Sequence, residues 1–238
     1  MERIIMMWKF ITILRSVRYA VKHSWHRYVK IKDPSIYGHI GFNAQMHPPM
    51  TINNPKNCFF AEHSKIREGL FVINTSGKFI VKKYTTISIN CLVVTGNHRP
   101  TVGIPEVLLD ESHINDVETD IIVEEGVWIG ANCTLIAKSH IGRGAVIGAN
   151  SLINKPIPPY AVAVGSPAKI IASVFTLEQI IEHEKFLYPE NERFTKNYLE
   201  ELFTTYFSGM KSIGLETMNR QDMEILEKLK SKRGIKFQ

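Results

Sequence analysis

Cysteine is scarce in this chain of 238 residues: Cys58, Cys91 and Cys133 are all it has, with no CxxC pair among them. An odd, dispersed set supports neither a disulfide framework nor a four-thiolate zinc site, and it suits a reducing compartment. Long apolar runs are missing as well. The stretch from Met1 to about Tyr28 comes nearest, but Lys9 and Arg15 interrupt it and no small-residue cleavage site follows. It is too short and too charged to span a bilayer. Acidic residues are scarce in the same place. Residues 1–32 hold eight Lys/Arg against Glu2 alone, an excess larger than the net charge of +6 on the whole chain. The basicity therefore belongs to one segment, and the main body gives no sign of a nucleic-acid partner.

What the segment does have is Ile4, Trp8, Ile11, Leu14, Val21 and Trp25 at roughly helical spacing. Residues 1–33 are expected to form a basic amphipathic helix. It either packs on the body or rests, through residues 1–30, on an anionic membrane surface. The expected location is cytoplasmic, with the inner face of a membrane as the alternative.

The decisive pattern is a repeat. From Ile121 to Asn154, an aliphatic residue falls at every sixth position: Val123, Ile129, Leu135, Ile141, Ile147 and Ile153. Glycine follows directly at 130, 142 and 148. A small or branched residue stands four places after each aliphatic, at Val127, Cys133, Ser139, Ala145 and Ser151. The same step appears upstream at Phe60, Ile66 and Val72, then at Val81, Ile87 and Val93, and Ile40, Met46 and Ile52 open the series. The phase slips near Gly77 and again between Arg99 and Asp120, where a loop must leave the coil. A period of six fits neither a 3.6-residue helix nor an alternating strand. It fits a parallel β-helix of three flat faces, with one inward aliphatic per hexapeptide and the small residues at the corners. The fold class is all-β, with residues 34–172 as the coil, an extruded loop at 99–120, and flanking helices.

The stretch from Val127 to Ile170, VWIGANCTLIAKSHIGRGAVIGANSLINKPIPPYAVAVGSPAKI, together with the upstream Thr95-Gly96-Asn97-His98, resembles the hexapeptide-repeat O-acetyltransferases, including those acting on galactosides, maltose and surface polysaccharides. The resemblance covers roughly residues 35–172. It implies a left-handed coil, an exception to the usual crossover hand. It also implies a homotrimer, acetyl-CoA as co-substrate in the groove between neighbouring prisms, and no metal.

Acetyl transfer to an alcohol needs a base, oxyanion donors and a groove that fixes the coenzyme. Histidine titrates in the right range. His98, beside Asn97 where the coil breaks, inherits the catalytic position by resemblance; a surface histidine at a loop start is the plain alternative. His113 in the loop and His140 inside a hexapeptide are weaker candidates. Glu106, Asp110, Glu111 and Asp116 could each orient the base, and the sequence does not choose among them. The resemblance puts Trp128 beside the reaction centre and centres the oxyanion donors on the backbone N–H groups of Gly130 and Ala131. It puts Gly148 and Ala149 along the pantetheine, and Asn154, Lys155 and Lys169 near the nucleotide and its phosphates. Solvated surface charge is the bland reading of the two lysines. Ala172 stands where a second basic residue often follows, which weakens the expected phosphate grip.

Thr176-x-x-Gln179 reads as a capping box opening a helix. Tyr198, Leu199, Leu202, Phe203, Tyr206 and Phe207 follow at helical spacing, and a shorter helix runs from about Arg220 to Lys230 with Gly234 at its end. Residues 173–238 are expected to be a helical appendage that covers the coil end or joins the trimer. The reading is an O-acetyltransferase of a sugar or polysaccharide precursor. N-acetylation of an amino sugar, a zinc site of three clustered histidines and a non-catalytic scaffold are the alternatives.

Overall fold

The structure, a computed structural model, describes residues 2–112 and 115–235, with side chains from Met6 onward. Between His39 and Ile153 the chain winds through five turns of a three-sided coil. Strands His39–Ile40, Cys58–Phe60, Phe79–Val81, Ile121–Val123 and His140–Ile141 stack in parallel as the first face. The second face includes Lys65–Ile66, Thr86–Ile87, Trp128–Ile129 and Val146–Ile147; the third includes Phe71–Ile73, Leu92–Val94, Thr134–Ile136 and Leu152–Ile153.

The aliphatic ladder explains the stack. Val123, Ile129, Leu135, Ile141, Ile147 and Ile153 are all buried, as are Phe60, Ile66, Val72, Val81, Ile87 and Val93 upstream. Each contributes about 1.5–3 kcal/mol by leaving water. Register pairs Phe60 with Val81, Val81 with Val123 and Val123 with Ile141, so neither the slip at Gly77 nor the extruded loop breaks the column. Ile40, Met46 and Ile52 continue it but are only half-buried, because they form its open end.

The corners are built differently from the sequence expectation. Val127, Cys133, Ser139, Ala145 and Ser151 point inward just past each corner. The residue before each one makes the turn: Gly126, Asn132, Lys138, Gly144 and Asn150 all have φ between 58° and 76°. Glycine and asparagine enter that left-handed region most readily. The small polar side chains then satisfy inward carbonyls. Ser139 Oγ donates to Ile153 O (2.9 Å), and Cys133 Sγ donates to Gly148 O (3.2 Å). Gly130 is required by close stacking, since a Cβ there would lie 2.6 Å from Ala149 N.

Helix α1 (Glu2–Tyr28) stands at the open end, tied to the first coil where Met50 N–H donates to Arg27 O (3.2 Å). Among the described residues no helix is long and apolar enough to cross a membrane. The loop after Asn97 contains helix α2 (Glu106–Ser112) and returns as strand Val117–Glu118, which pairs antiparallel with Gly96–Asn97. The coil resumes at Ile121, which pairs with Phe79.

At the other end, Ala161–Val164 extends the second face and Lys169–Ser173 folds back antiparallel against it. Helix α3 (Leu177–Leu187) opens on a complete capping box between Thr176 and Gln179. Its buried Glu184 accepts from Tyr160 Oη (2.7 Å), Arg143 Nη1 (3.0 Å) and Phe194 N–H (3.2 Å). Arg143 lies between the rings of Tyr188 and Phe194, 4.1 and 4.7 Å from their centroids. This knot covers the coil end. Helices α4 (Lys196–Leu202) and α5 (Arg220–Arg233) complete the appendage, α5 ending on Gly234 with φ 64°.

Candidate active site

His98 sits where the third face turns toward the first. The ladder of Leu92–Val94 ends at the buried Thr95, whose N–H donates to Ile73 O (3.1 Å). The short ladder to Val117–Glu118 then carries the chain outward and leaves His98 at the root of the loop. Glu118 anchors that root. Its carboxylate accepts the N–H groups of Thr75 (3.0 Å), Ser76 (2.9 Å) and Gly77 and the hydroxyl of Thr95 (3.0 Å). Burial alone would raise its pKa, but these donors win and hold it below the usual carboxylate range.

The geometry chooses among the four acidic candidates. Asp116 Oδ1 lies 2.8 Å from His98 Nδ1, and Asp110, on α2, lies 3.6 Å from Nε2. Asp116 is the sheltered partner at 19% exposure against 70% for Asp110, so it is the carboxylate that can fix the ring. The hydrogen bond to Asp116, reinforced by the fields of Asp116, Asp110 and Glu106, raises the His98 pKa above its ordinary value. With Nδ1–H assigned toward Asp116, the neutral ring presents its lone pair at Nε2, the tautomer a general base requires.

The remaining candidates fall on two edges of the prism. Asn97 pairs through its backbone beside His98, and Asn154 and Lys155 lie exposed at the same third-to-first edge, higher up the coil. Trp128 points out of the second face at 59% exposure. Gly130, Ala131, Gly148 and Ala149 form the second-to-third edge. Lys169 pairs with Val164 as the second face runs into that edge. Within one chain, then, His98 and the Gly130–Ala149 edge flank opposite sides of the third face and do not meet.

One expectation needs correction. The N–H of Gly130 already donates to Ile147 O (2.8 Å), and that of Gly148 donates to Ala163 O (2.9 Å). Coil stacking consumes the Gly130 donor, so it cannot serve an oxyanion. The Ala131 N–H has no acceptor among the described residues. His113 lies outside the described residues. His140 is a surface residue, as expected, but it is not solitary: Nε2 lies 2.9 Å from Glu124 Oε1. Among the described residues no group of three or more His, Cys, Asp or Glu is placed to hold a metal. Sequence reasoning missed Glu118, whose partners lie up to 43 residues away; the slip at Gly77 was its only trace.

Residues 120–155 match the family described as bacterial transferase hexapeptide (six repeats). This chain carries the hexapeptide repeat and its left-handed β-helix. The chain is 44% identical over 59 residues to a chloramphenicol acetyltransferase of Klebsiella aerogenes, which is 25% of this chain and 28% of that protein. Matches of this kind span between 11% and 34% of the curated relatives' length. Among solved structures, a hexapeptide-repeat-containing acetyltransferase from Vibrio cholerae superposes with a TM-score of 0.56 at 22% identity, over 70% of this chain and 93% of that one. A maltose O-acetyltransferase from Clostridium difficile 630 superposes with a TM-score of 0.56 at 20% identity, over 69% and 89%. The hexapeptide coil of this chain therefore shares their fold.

Proposed function

We propose that this hexapeptide-repeat protein is an acetyl-CoA-dependent O-acetyltransferase acting on a hydroxyl of a sugar or surface-polysaccharide precursor. The observation that carries this reading is the His98–Asp116 pair at the root of the loop, with Nδ1 held at 2.8 Å. His98 Nε2 takes the acceptor's proton as its oxygen attacks the thioester carbonyl. Asp116 fixes the ring and stabilises the imidazolium that forms. The Ala131 N–H receives the charge on the tetrahedral oxygen. The proton then passes to the departing thiolate, giving acetylated acceptor and free coenzyme A. Trp128 borders the reaction centre, Gly148 and Ala149 lie along the pantetheine, and Lys155 and Lys169 meet the phosphates with Asn154 beside them.

The site is completed between two copies of the chain in a homotrimer. Side chains pointing out of the third face are largely apolar, including Phe71, Ile73, Val94 and Ile136, with Phe71 and Ile73 each 41% exposed. Turning three such faces toward one axis covers an apolar surface. It also sets the His98 edge of each prism against the Gly130–Ala149 edge of the next. The similarity to a chloramphenicol acetyltransferase and the shared fold with a maltose O-acetyltransferase support acetyl transfer to a hydroxyl.

The test is thiol release from acetyl-CoA with a panel of sugars, glycans and amino sugars. Hydroxyl acceptors are expected to turn over, and His98→Ala to abolish turnover while fold and assembly persist. Turnover restricted to amino acceptors would replace O- with N-acetylation. Activity of His98→Ala near the parent rate would refute the base.

A further inference from the structure

The C-terminal end of α1 and the first coil border a cavity of about 450 Å³, whose walls carry Arg27, Lys30 and Lys56 together with His23 and His26. No aspartate or glutamate lines it, and its floor is apolar, formed by Ile31, Met50 and Ile52. None of the three cations has an ion-pair partner among the described residues. The Arg27 Nε is buried and lacks any hydrogen-bond acceptor. Asp33, whose field reaches Lys30, is turned to the backbone and accepts from Ser35 N–H (2.9 Å). Positive charge gathered without a counter-charge, around a buried unpaired guanidinium nitrogen, is the signature of a missing anion. An apolar floor below that charge fits an anion that carries a hydrocarbon tail.

The helix above the cavity points to the same ligand. Phe10, Leu14, Val17, Val21, Trp25 and Tyr28 recur at three- and four-residue steps along one side of α1, and each is more than half exposed. Arg18 falls on the same side, between Leu14 and Val21, and Arg15 and Lys22 border it. At 27 residues, α1 is about 40 Å long, yet it is too interrupted by charge to cross a bilayer. An apolar stripe flanked by cations lies in the plane of an anionic membrane surface.

We propose that α1 and the cavity at its foot form a docking site for anionic phospholipid, with one lipid phosphate held by Arg27, Lys30 and Lys56 and the apolar stripe lying among the acyl chains. The site is separate from His98 and does not depend on the reaction assigned to it.

The experiment is flotation of the full chain with phosphatidylglycerol/phosphatidylcholine vesicles and with pure phosphatidylcholine vesicles. The parent protein is expected to float with the anionic vesicles only, and rising salt should release it. Each cation near such a surface contributes about fivefold in partitioning, so Arg27→Ala/Lys30→Ala/Lys56→Ala together should lose about a hundredfold. Leu14→Glu/Val17→Glu should lose binding with the cavity intact. Unchanged melting temperature and oligomeric mass in both variants separate lost binding from misfolding. Equal flotation on both vesicle types, or full binding by the triple variant, overturns the proposal. Calorimetric binding of inorganic phosphate without vesicle binding overturns the lipid assignment and leaves a free-phosphate site. An α1 deletion that disperses the oligomer, with no vesicle binding by the parent, assigns the stripe to a second copy instead.

Discussion

Replacing Asp116 by asparagine isolates the element on which the proposed chemistry turns. The carboxylate lies 2.8 Å from His98 Nδ1, and it is the largest cause of the raised imidazole pKa. Its loss removes a charge-assisted bond, lets the ring rotate or take the other tautomer, and leaves the imidazolium uncompensated during proton transfer. General-base catalysis contributes about 10²–10⁴-fold, and a base present but misoriented forfeits the lower part of that range, so kcat/KM should fall about a hundredfold. The pH profile makes the test specific. A raised pKa keeps His98 protonated and inactive to a higher pH, so kcat/KM of the parent should rise with pH through a midpoint above 6.5. In Asp116→Asn the midpoint should move toward 6.5 while the plateau drops. Asp110→Asn should lower the midpoint with a much smaller loss of plateau, because its exposed carboxylate lies 3.6 Å from Nε2. Thiol release measured from pH 5.5 to 9 with a saturating acceptor would show both effects. A plateau within twofold of the parent and an unmoved midpoint would refute the dyad.

Other outcomes follow from the coil and its ends. Ile129→Ala empties a fully buried site in the ladder and should cost about 2–5 kcal/mol in thermal or denaturant unfolding. Glu118→Gln exchanges a carboxylate that gathers three backbone N–H groups for a weaker acceptor, at about 1–3 kcal/mol. Because the folded pKa of Glu118 is depressed, its contribution is complete above the ordinary carboxylate pKa and is lost as pH falls through the folded value. The gap between parent and variant stability should therefore close in acid. Glu184→Ala leaves Arg143 with Glu125 Oε2 at 3.3 Å as its remaining carboxylate and orphans the Tyr160 hydroxyl and the Phe194 N–H, and it should cost about 2–5 kcal/mol, read as loss of α3 protection in hydrogen exchange.

Much of the coil was legible because its driving force repeats. One aliphatic per six residues is a local pattern, and Val123 through Ile153 needed no long-range information to be assigned to one interior. The corner geometry was less legible, since Lys138 adopts the same left-handed conformation as Asn132 and Asn150 without advertising it. Of the proposed site, only one candidate carries a mark in the sequence. His98 is marked by the place where the repeat stops, whereas Asp116 returns after 18 residues of loop and Glu118 reaches back across 43. Contacts of that separation leave no periodic trace. The availability of the Ala131 N–H, and not that of Gly130, depends on which donors the stacked coils consume. No single-strand pattern carries that information.

The most direct test of the proposal that the site is shared between copies of a trimer is complementation. His98→Ala removes the base but keeps the Gly130–Ala149 edge, whereas Ala149→Trp blocks that exposed edge and keeps the base. Each alone should be inactive. Trimers reassembled from an equal mixture should regain about a quarter of the parent turnover, since a working site then needs one copy of each kind in the right order. Mixed trimers that form but stay inactive would contradict the account.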